Sequence, residues 1–288
     1  MEDLIHELLH ALLHTLQECL IVLPFLFIAY LAIELLEHYA EEKTTKIVQN
    51  AGRFGPAVGA LVGVVPQCGF SAIASNLYAG GILSLGTLLA VFMSTSDEML
   101  PILVSHQVEP GLILKILGYK VLAAMISGFV IDLLWRRSPR RSEKSIHEMC
   151  QSEGCHCEDG VLKSALRHTV HIFLFLLLVT FVIEVVVELI GQDTLSGLIL
   201  NQPVVGQLIA GLIGMIPNCA GSVVITELFL QGGMSAGAML SGLMVSAGVG
   251  VLVLFRVNHR AKENFWILGI LYACSVAFGC VAELLPIF

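Results

Sequence analysis

Apolar residues run through this chain in long blocks, and polar residues punctuate the blocks rather than alternate within them. The clearest blocks are Leu20–Leu36, Ile113–Trp135, Ile172–Ile190 and Ile267–Leu285. Each comes close to the roughly 20 residues that an α-helix needs to cross a hydrocarbon core of about 30 Å. They predict spanning helices. Two further apolar segments, Phe54–Gly80 and Val204–Gln231, are split at Pro66-Gln67-Cys68-Gly69 and at Pro217-Asn218-Cys219-Ala220-Gly221. Proline removes a backbone donor and glycine permits a turn, so each segment predicts two helical arms. At 1.5 Å per residue, an arm of about a dozen residues covers about half a membrane. The segments that follow are interrupted too, at Ser94-Thr95-Ser96-Asp97-Glu98 and at Ser246-Ala247-Gly248-Val249-Gly250.

The pattern occurs twice. Shifted by 151 residues, Gly55–Met93 matches Gly206–Met244 at 12 of 39 positions without gaps. The matches include Pro66/Pro217, Cys68/Cys219, Ser71/Ser222, Gly81/Gly232, Ser84/Ser235 and Gly86/Gly237. A shared Pro-x-Cys-x-x-Ser is more than apolar composition yields by chance. Flanking elements agree after small gaps, His14-Thr15 with His168-Thr169 and Ile33-Glu34 with Ile183-Glu184. Duplication accounts for this, and internal repeats of this kind are typical of secondary transporters.

Positive charge predicts the topology. It gathers in three clusters: Lys43, Lys46 and Arg53; Arg136, Arg137, Arg140 and Arg141; and Arg256, Arg260 and Lys262. The positive-inside rule puts all three in the cytoplasm. That holds when each split segment folds back as a re-entrant hairpin, leaving three crossings per half. Three is odd, so the halves are inverted. The predicted fold is all-α and integral to the membrane: two inverted repeats, each with three spanning helices and a re-entrant helical hairpin, about ten membrane segments in all. The chain then divides into an amphipathic N-terminal helix (1–17), a first repeat (18–135), a Cys/His-rich cytoplasmic linker (136–162) and a second, inverted repeat (163–288). Both termini are expected outside, in the cytoplasmic (inner or plasma) membrane.

Composition agrees. With 56% hydrophobic residues and only 13% charged, the chain has too little charge to clothe a soluble domain of 288 residues. Residues 1–17 carry acids and histidines where a cleavable signal peptide would have a basic n-region, so none is expected. The eight cysteines fall in apolar segments and one polar loop, not in a disulfide framework.

Hairpins entering from opposite sides bring their tips together near the midplane, where non-helical backbone is tolerated if it is buried or lines a wet cavity. The candidate substrate-binding residues there are Gln67, Cys68, Ser71, Asn218, Cys219 and Ser222. One isolated cysteine would read as a small buried hydrophobe. A symmetric pair at both breaks points to a site. Asp97 and Glu98 are costly at membrane depth and mark an ion or proton path. Their counterparts are Gly248 and Val249, so they are candidates both for coupling and for metal binding, alongside Cys68 and Cys219. Glu227, opposite Asn76 of the first hairpin, is a further coupling candidate. Lys115, Lys120 and Asp132 are expected to snorkel to the ends of their span and carry no assigned role.

Two peripheral groups suit metals. His6, His10 and His14 recur at i, i+4, the polar stripe of an amphipathic helix or a chelating face. The linker holds His147, Cys150, Cys155, His156 and Cys157, donors that suit a soft or borderline metal. No phosphate-binding Gly loop, hydrolase triad, nucleotide fingerprint or nucleic-acid-binding surface is legible.

With these motifs in hand, the chain resembles, nearly end to end, the ten-helix heavy-metal exporters labelled arsenic efflux proteins or manganese transporters. Its most specific parts are Val65-Pro66-Gln67-Cys68-Gly69-Phe70-Ser71, Ser94–Glu98 and Ile216-Pro217-Asn218-Cys219-Ala220-Gly221-Ser222. Pro-x-Cys is also similar to the element of organoarsenical permeases, although the second cysteine of their cluster is absent. The resemblance implies a secondary exporter of a metal or metalloid, not an enzyme. The metal ion would be its substrate, with no cofactor required. The expected partners are the lipid bilayer, the transported small inorganic ion or small molecule, and a second copy in a homodimer, with no nucleic acid. An organic-anion carrier and an intramembrane thiol redox enzyme are the alternatives from other classes.

Overall fold

The computed structural model describes residues 54–65, 68–96, 99–135, 202–217 and 219–285, with further helical positions at intervals in 15–31 and 162–185. All regular structure among these residues is helical. In chain order the elements are α1 (Gly55–Gly63), α2 (Cys68–Ala79), α3 (Leu85–Ser94), α4 (Met99–Ser105) and α5 (Pro110–Leu134). They are followed by α6 (Val205–Gly214), α7 (Cys219–Leu230), α8 (Ala236–Val245), α9 (Val249–Val257) and α10 (Ala261–Leu284). An offset of 151 residues carries α2 onto α7 and α3 onto α8 to the residue, and the other three pairs to within one residue at either end.

The outer surface is apolar. Leu114, Leu122, Ile126, Leu133 and Leu134 of α5 are exposed, as are Phe265, Trp266 and Leu284 of α10. In 162–185, Leu162, Leu166, Val170, Leu174, Leu178 and Val182 follow one another every four residues, and all are exposed. Successive members of such a row are neighbours on a helix surface. Water would not support so much contiguous apolar surface, whereas lipid tails do. Among the described residues, four stretches are long and apolar enough to cross a membrane: Leu85–Val104, Pro110–Leu134, Ala236–Val257 and Ala261–Leu284. The first joins α3 to α4 and the third joins α8 to α9. The protein is an integral membrane protein.

Inside this shell, α3 and α8 form the centre. Every residue of Gly86–Ser94 and of Gly237–Val245 is buried. Helix α3 packs against α1 and α5, α8 packs against α6 and α10, and the two touch each other. Glycine sets the spacing of the outer pairs. A Cβ on Gly128 of α5 would lie 2.6 Å from the Gly86 carbonyl oxygen, and one on Gly279 of α10 would lie 2.6 Å from that of Gly237. Only a residue without a side chain fits, and close backbone approach of this kind is how helices associate where lipid removes the hydrophobic drive.

A polar clamp sits beside each glycine contact. Ser84 is the N-cap of α3, its side chain accepting from the Thr87 N–H. The hydroxyl also donates to Asp132 Oδ2 at 2.7 Å, while the Gly86 N–H donates to Asp132 Oδ1 at 2.8 Å. The second half repeats this with one methylene more. Ser235 caps α8, its hydroxyl donates to Glu283 Oε2 at 2.7 Å, and the Gly237 N–H donates to the same oxygen at 3.0 Å. Asp132 thus anchors the start of a central helix and does not merely snorkel.

The halves are also interleaved. Helix α2 packs against α9, and reciprocally α7 packs against α4. Ser75 of α2 donates to the Gly250 carbonyl of α9 at 2.7 Å. The corresponding long helices cross in opposite directions. The Trp135 ring at the end of α5 lies 5.6 Å from that of Trp266 near the start of α10, and Tyr119 within α5 donates to the Phe278 carbonyl far along α10.

Replacing Asp132 with Ala strips the α3 start of its carboxylate and leaves two donors short of a partner. Hydrogen bonds to charged groups are worth about 1.5–3 kcal/mol. The expected outcome is a thermal midpoint lowered by several degrees in detergent, with Asp132→Glu close to wild type because Glu283 performs the same task. An unchanged midpoint for Asp132→Ala would show that the clamp does not hold the helix.

Candidate functional site

Both central helices stop deep inside the protein. Helix α3 ends at Ser94 and Thr95 turns to ψ 132°; α8 ends at Val245 and Ser246 turns to ψ 92°. A helix end leaves up to four carbonyls without intrahelical donors, and no water is at hand in an apolar interior to supply them. The Ser96 hydroxyl reaches one such carbonyl, that of Ser94, at 3.0 Å. The Ser94 and Thr95 hydroxyls bond back to carbonyls four residues earlier, Ala90 at 2.9 Å and Val91 at 2.8 Å, and Val91 also accepts the Thr95 N–H. Across from them, the Ser222 and Ser246 hydroxyls share a hydrogen bond of 3.0 Å.

Lys120 completes the arrangement. Its side chain is fully buried, and its Nζ donates to the Thr95 carbonyl and, at 3.4 Å, to the Leu243 carbonyl. One ammonium therefore meets the C-terminal ends of α3 and α8 together. Those ends carry the partial negative charge of the helix dipole, so a cation is favoured there. The snorkelling expected for Lys120 is thereby corrected. It sits ten residues into α5, about 15 Å along the axis, too far from either end to reach water, and it turns inward to the helix break. Lys115 is exposed.

Next to this junction lies a polar cavity of about 10 Å³, lined by Thr95, Ser96, Met99, Ser222, Leu243, Ser246 and Gly248. It has room for about one water-sized particle. Both halves build it: the α3–α4 break, the α8–α9 break and the first turn of α7. Four hydroxyls surround it, each able to donate or accept, with a single thioether residue. The C-terminal ends of α3 and α8 meet the N-terminal ends of α4, α7 and α9 here, so helix dipoles of both signs face the cavity, and its oxygen-rich lining suits a hard cation better than a soft one.

Of the substrate-binding residues expected from sequence, Ser222 lines the cavity. Ser71 is buried nearby but faces α9, where a Cβ added to Gly250 would meet the Ser71 Cβ at 2.6 Å. Gln67, Asn218, Asp97 and Glu98 lie outside the described residues, as do the side chains of Cys68 and Cys219, whose backbones open α2 and α7. In the chain, Asp97 and Glu98 stand between Ser96 and Met99, two cavity residues. Glu227 is not brought to the cavity. It is half-exposed on α7 and pairs with His106 Nε2 at 3.1 Å. The peripheral metal candidates His6, His10, His14, His147, Cys150, Cys155, His156 and Cys157 lie outside the described residues. Among the described residues, no three His, Cys, Asp or Glu side chains gather as a ready metal site.

Gly248 shapes the second break with φ 51° and ψ −138°, a backbone region essentially reserved for glycine. Gly248→Ala is expected to cost about 1–3 kcal/mol and to distort the cavity wall. Thermal unfolding in detergent reads the first effect, and a transport assay reads the second. An alanine variant with wild-type midpoint and rate would show that this turn is not required.

A family model described as "Putative, 10TM heavy-metal exporter" matches residues 7–196. The match spans α1 to α5, and so includes the first break and Lys120. No curated protein and no solved structure matches the chain. With well over half of its residues matched, the chain belongs to this family of ten-segment membrane proteins.

Proposed function

We propose that the protein is a secondary active exporter of a metal or metalloid, a divalent cation such as manganese or an arsenical, which passes through the cavity at the two helix breaks. One observation carries this reading: central helices from both halves stop at the same buried point and leave hydroxyls and carbonyls around a space for a single small particle. A path that needs alternate access from two sides is served well by a site shared between two like halves.

In this proposal the halves are inverted repeats. Support comes from the constant 151-residue offset and from the opposed directions of α5 and α10. The pairs α1/α2 and α6/α7 act as re-entrant hairpins. Their arms have 9 to 12 residues, too short to cross alone. With the helical segments in 15–31 and 162–185, two hairpin arms, one broken span and one long span per half make ten segments.

The proposed orientation puts the basic clusters in the cytoplasm. Trp135 precedes Arg136 and Arg137 and stands beside Trp266, four residues after Lys262. Gly55, two residues after Arg53, lies against Thr87 at the same end of α3 that Asp132 clamps. All three clusters therefore adjoin one face, as the positive-inside rule requires. Asp97 and Glu98, flanked by cavity residues, supply the charge to bind the cation or carry the coupling proton. Cys68 and Cys219 tune the site towards softer metals, and Gln67 and Asn218 help to shape it.

An anionic cargo is the second reading, favoured by the buried ammonium of Lys120. We rank it lower because that ammonium already donates to two carbonyls.

Purified protein in sealed liposomes separates these readings. A panel of Mn²⁺, Zn²⁺, Co²⁺, Cd²⁺ and arsenite is offered with and without a pH gradient, beside small organic anions. The expected result is uptake of one metal or metalloid, reduced about tenfold or more by Asp97→Asn and by Cys68→Ser. Movement of organic anions with every metal inert would sink the proposal.

A further inference from the structure

Lys120 has no basic counterpart. The residue 151 positions on is Leu271, equally buried on α10. Duplication has left one apolar and one charged residue at equivalent places in two central-facing helices. Burying an ammonium carries a heavy desolvation penalty, and burial persists only where hydrogen bonds and opposite charge compensate it. An apolar residue would pack there without that penalty, as Leu271 does. The charge is thus retained against its cost at one place, where the ends of α3 and α8 meet beside the cavity.

Two of its partners bear on what the charge does. Thr95 and Leu243 each contribute a carbonyl to Nζ, and both residues also line the cavity. The position filled by the ammonium and the space offered to a substrate ion therefore share two walls. Two cations so close repel strongly in surroundings of low dielectric. The site cannot hold both at full strength.

We propose that Lys120 is a resident cation: its ammonium fills the charge position built by the C-terminal ends of α3 and α8, and it cedes those carbonyls when a substrate cation enters the adjoining cavity. This deepens the exporter reading and rests on it for the identity of the competing ion. The empty transporter keeps its broken helices satisfied, and loading replaces the ammonium by the substrate ion at those two carbonyls. When the substrate leaves, the lysine returns to Thr95 and Leu243. Release is thereby assisted, because the protein carries its own replacement for the departing ion.

The test uses full-length protein in detergent and two substitutions that remove charge differently. Lys120→Gln keeps an N–H donor group for the carbonyls, whereas Lys120→Ala leaves space for an added amine. Binding of Mn²⁺, Zn²⁺ and Co²⁺ is measured by titration calorimetry on wild type and Lys120→Gln. Tighter binding by the variant, on the order of tenfold, is expected, with slower transport because the resident competitor that aids release is gone. Equal or weaker binding by a folded Lys120→Gln would overturn the proposal.

The thermal midpoint of Lys120→Ala is then followed with ethylammonium and with tetramethylammonium, which is too bulky and has no N–H. Ethylammonium alone should raise it, by several degrees, and should leave wild type unmoved. If no metal binds wild type or Lys120→Gln, the exporter reading has failed, and this amine measurement alone decides whether a cation position exists. No rescue by ethylammonium refutes it.

Discussion

A helix that ends inside an apolar body must find donors for its last carbonyls, and the protein is organised around two such endings. Helices α3 and α8 stop in the most buried part of the molecule. In hydrocarbon each unsatisfied backbone group costs several kcal/mol. The Ser96 hydroxyl serves the Ser94 carbonyl at the end of α3, and the lysine at position 120 bridges both ends. The polar cavity follows from that solution, because hydroxyls brought in to satisfy backbone remain available to a small particle beside it. Structure and candidate chemistry here have one origin.

The outer helices hold these ends in register. Glycine contacts at Gly86 with Gly128 and at Gly237 with Gly279 bring backbones together, while Asp132 and Glu283 fix where α3 and α8 begin. The same device appears in both halves, with Asp in one and Glu in the other. At the breaks the halves diverge. The first carries Asp97, Glu98 and Lys120; at the matching places the second has Gly248, Val249 and Leu271. One half supplies charge, and the other supplies a glycine turn. A symmetric scaffold thus frames an asymmetric site.

The breaks were legible in the sequence because proline, glycine and runs of hydroxyl residues interrupt otherwise unbroken apolar segments. The internal offset is legible because Ser84/Ser235 and Gly86/Gly237, positions with geometric duties, are the same in both segments. The clamps were not. Asp132 lies 46 residues from Gly86, and its counterpart Glu283 differs in type, so identity between halves does not flag the pair. Snorkelling fails for Lys120 because its side chain is too short to reach water from its depth in α5. A lysine ten residues from the nearest helix end is a better sign of an internal partner than of snorkelling. Ser222, singled out by its place after Pro-x-Cys, lines the cavity, whereas Glu227, a candidate from its place on the second hairpin opposite Asn76, pairs with His106.

The central claim is that metal binds where the two broken helices meet. Anomalous diffraction from crystals of the full chain grown with Mn²⁺ or Zn²⁺ tests it directly. An anomalous peak is expected between the two breaks, within about 2.0–2.6 Å of oxygen ligands, among Thr95, Ser96, Ser222 and Ser246. Peaks confined to the linker around His147 to Cys157, with the breaks empty, would contradict it.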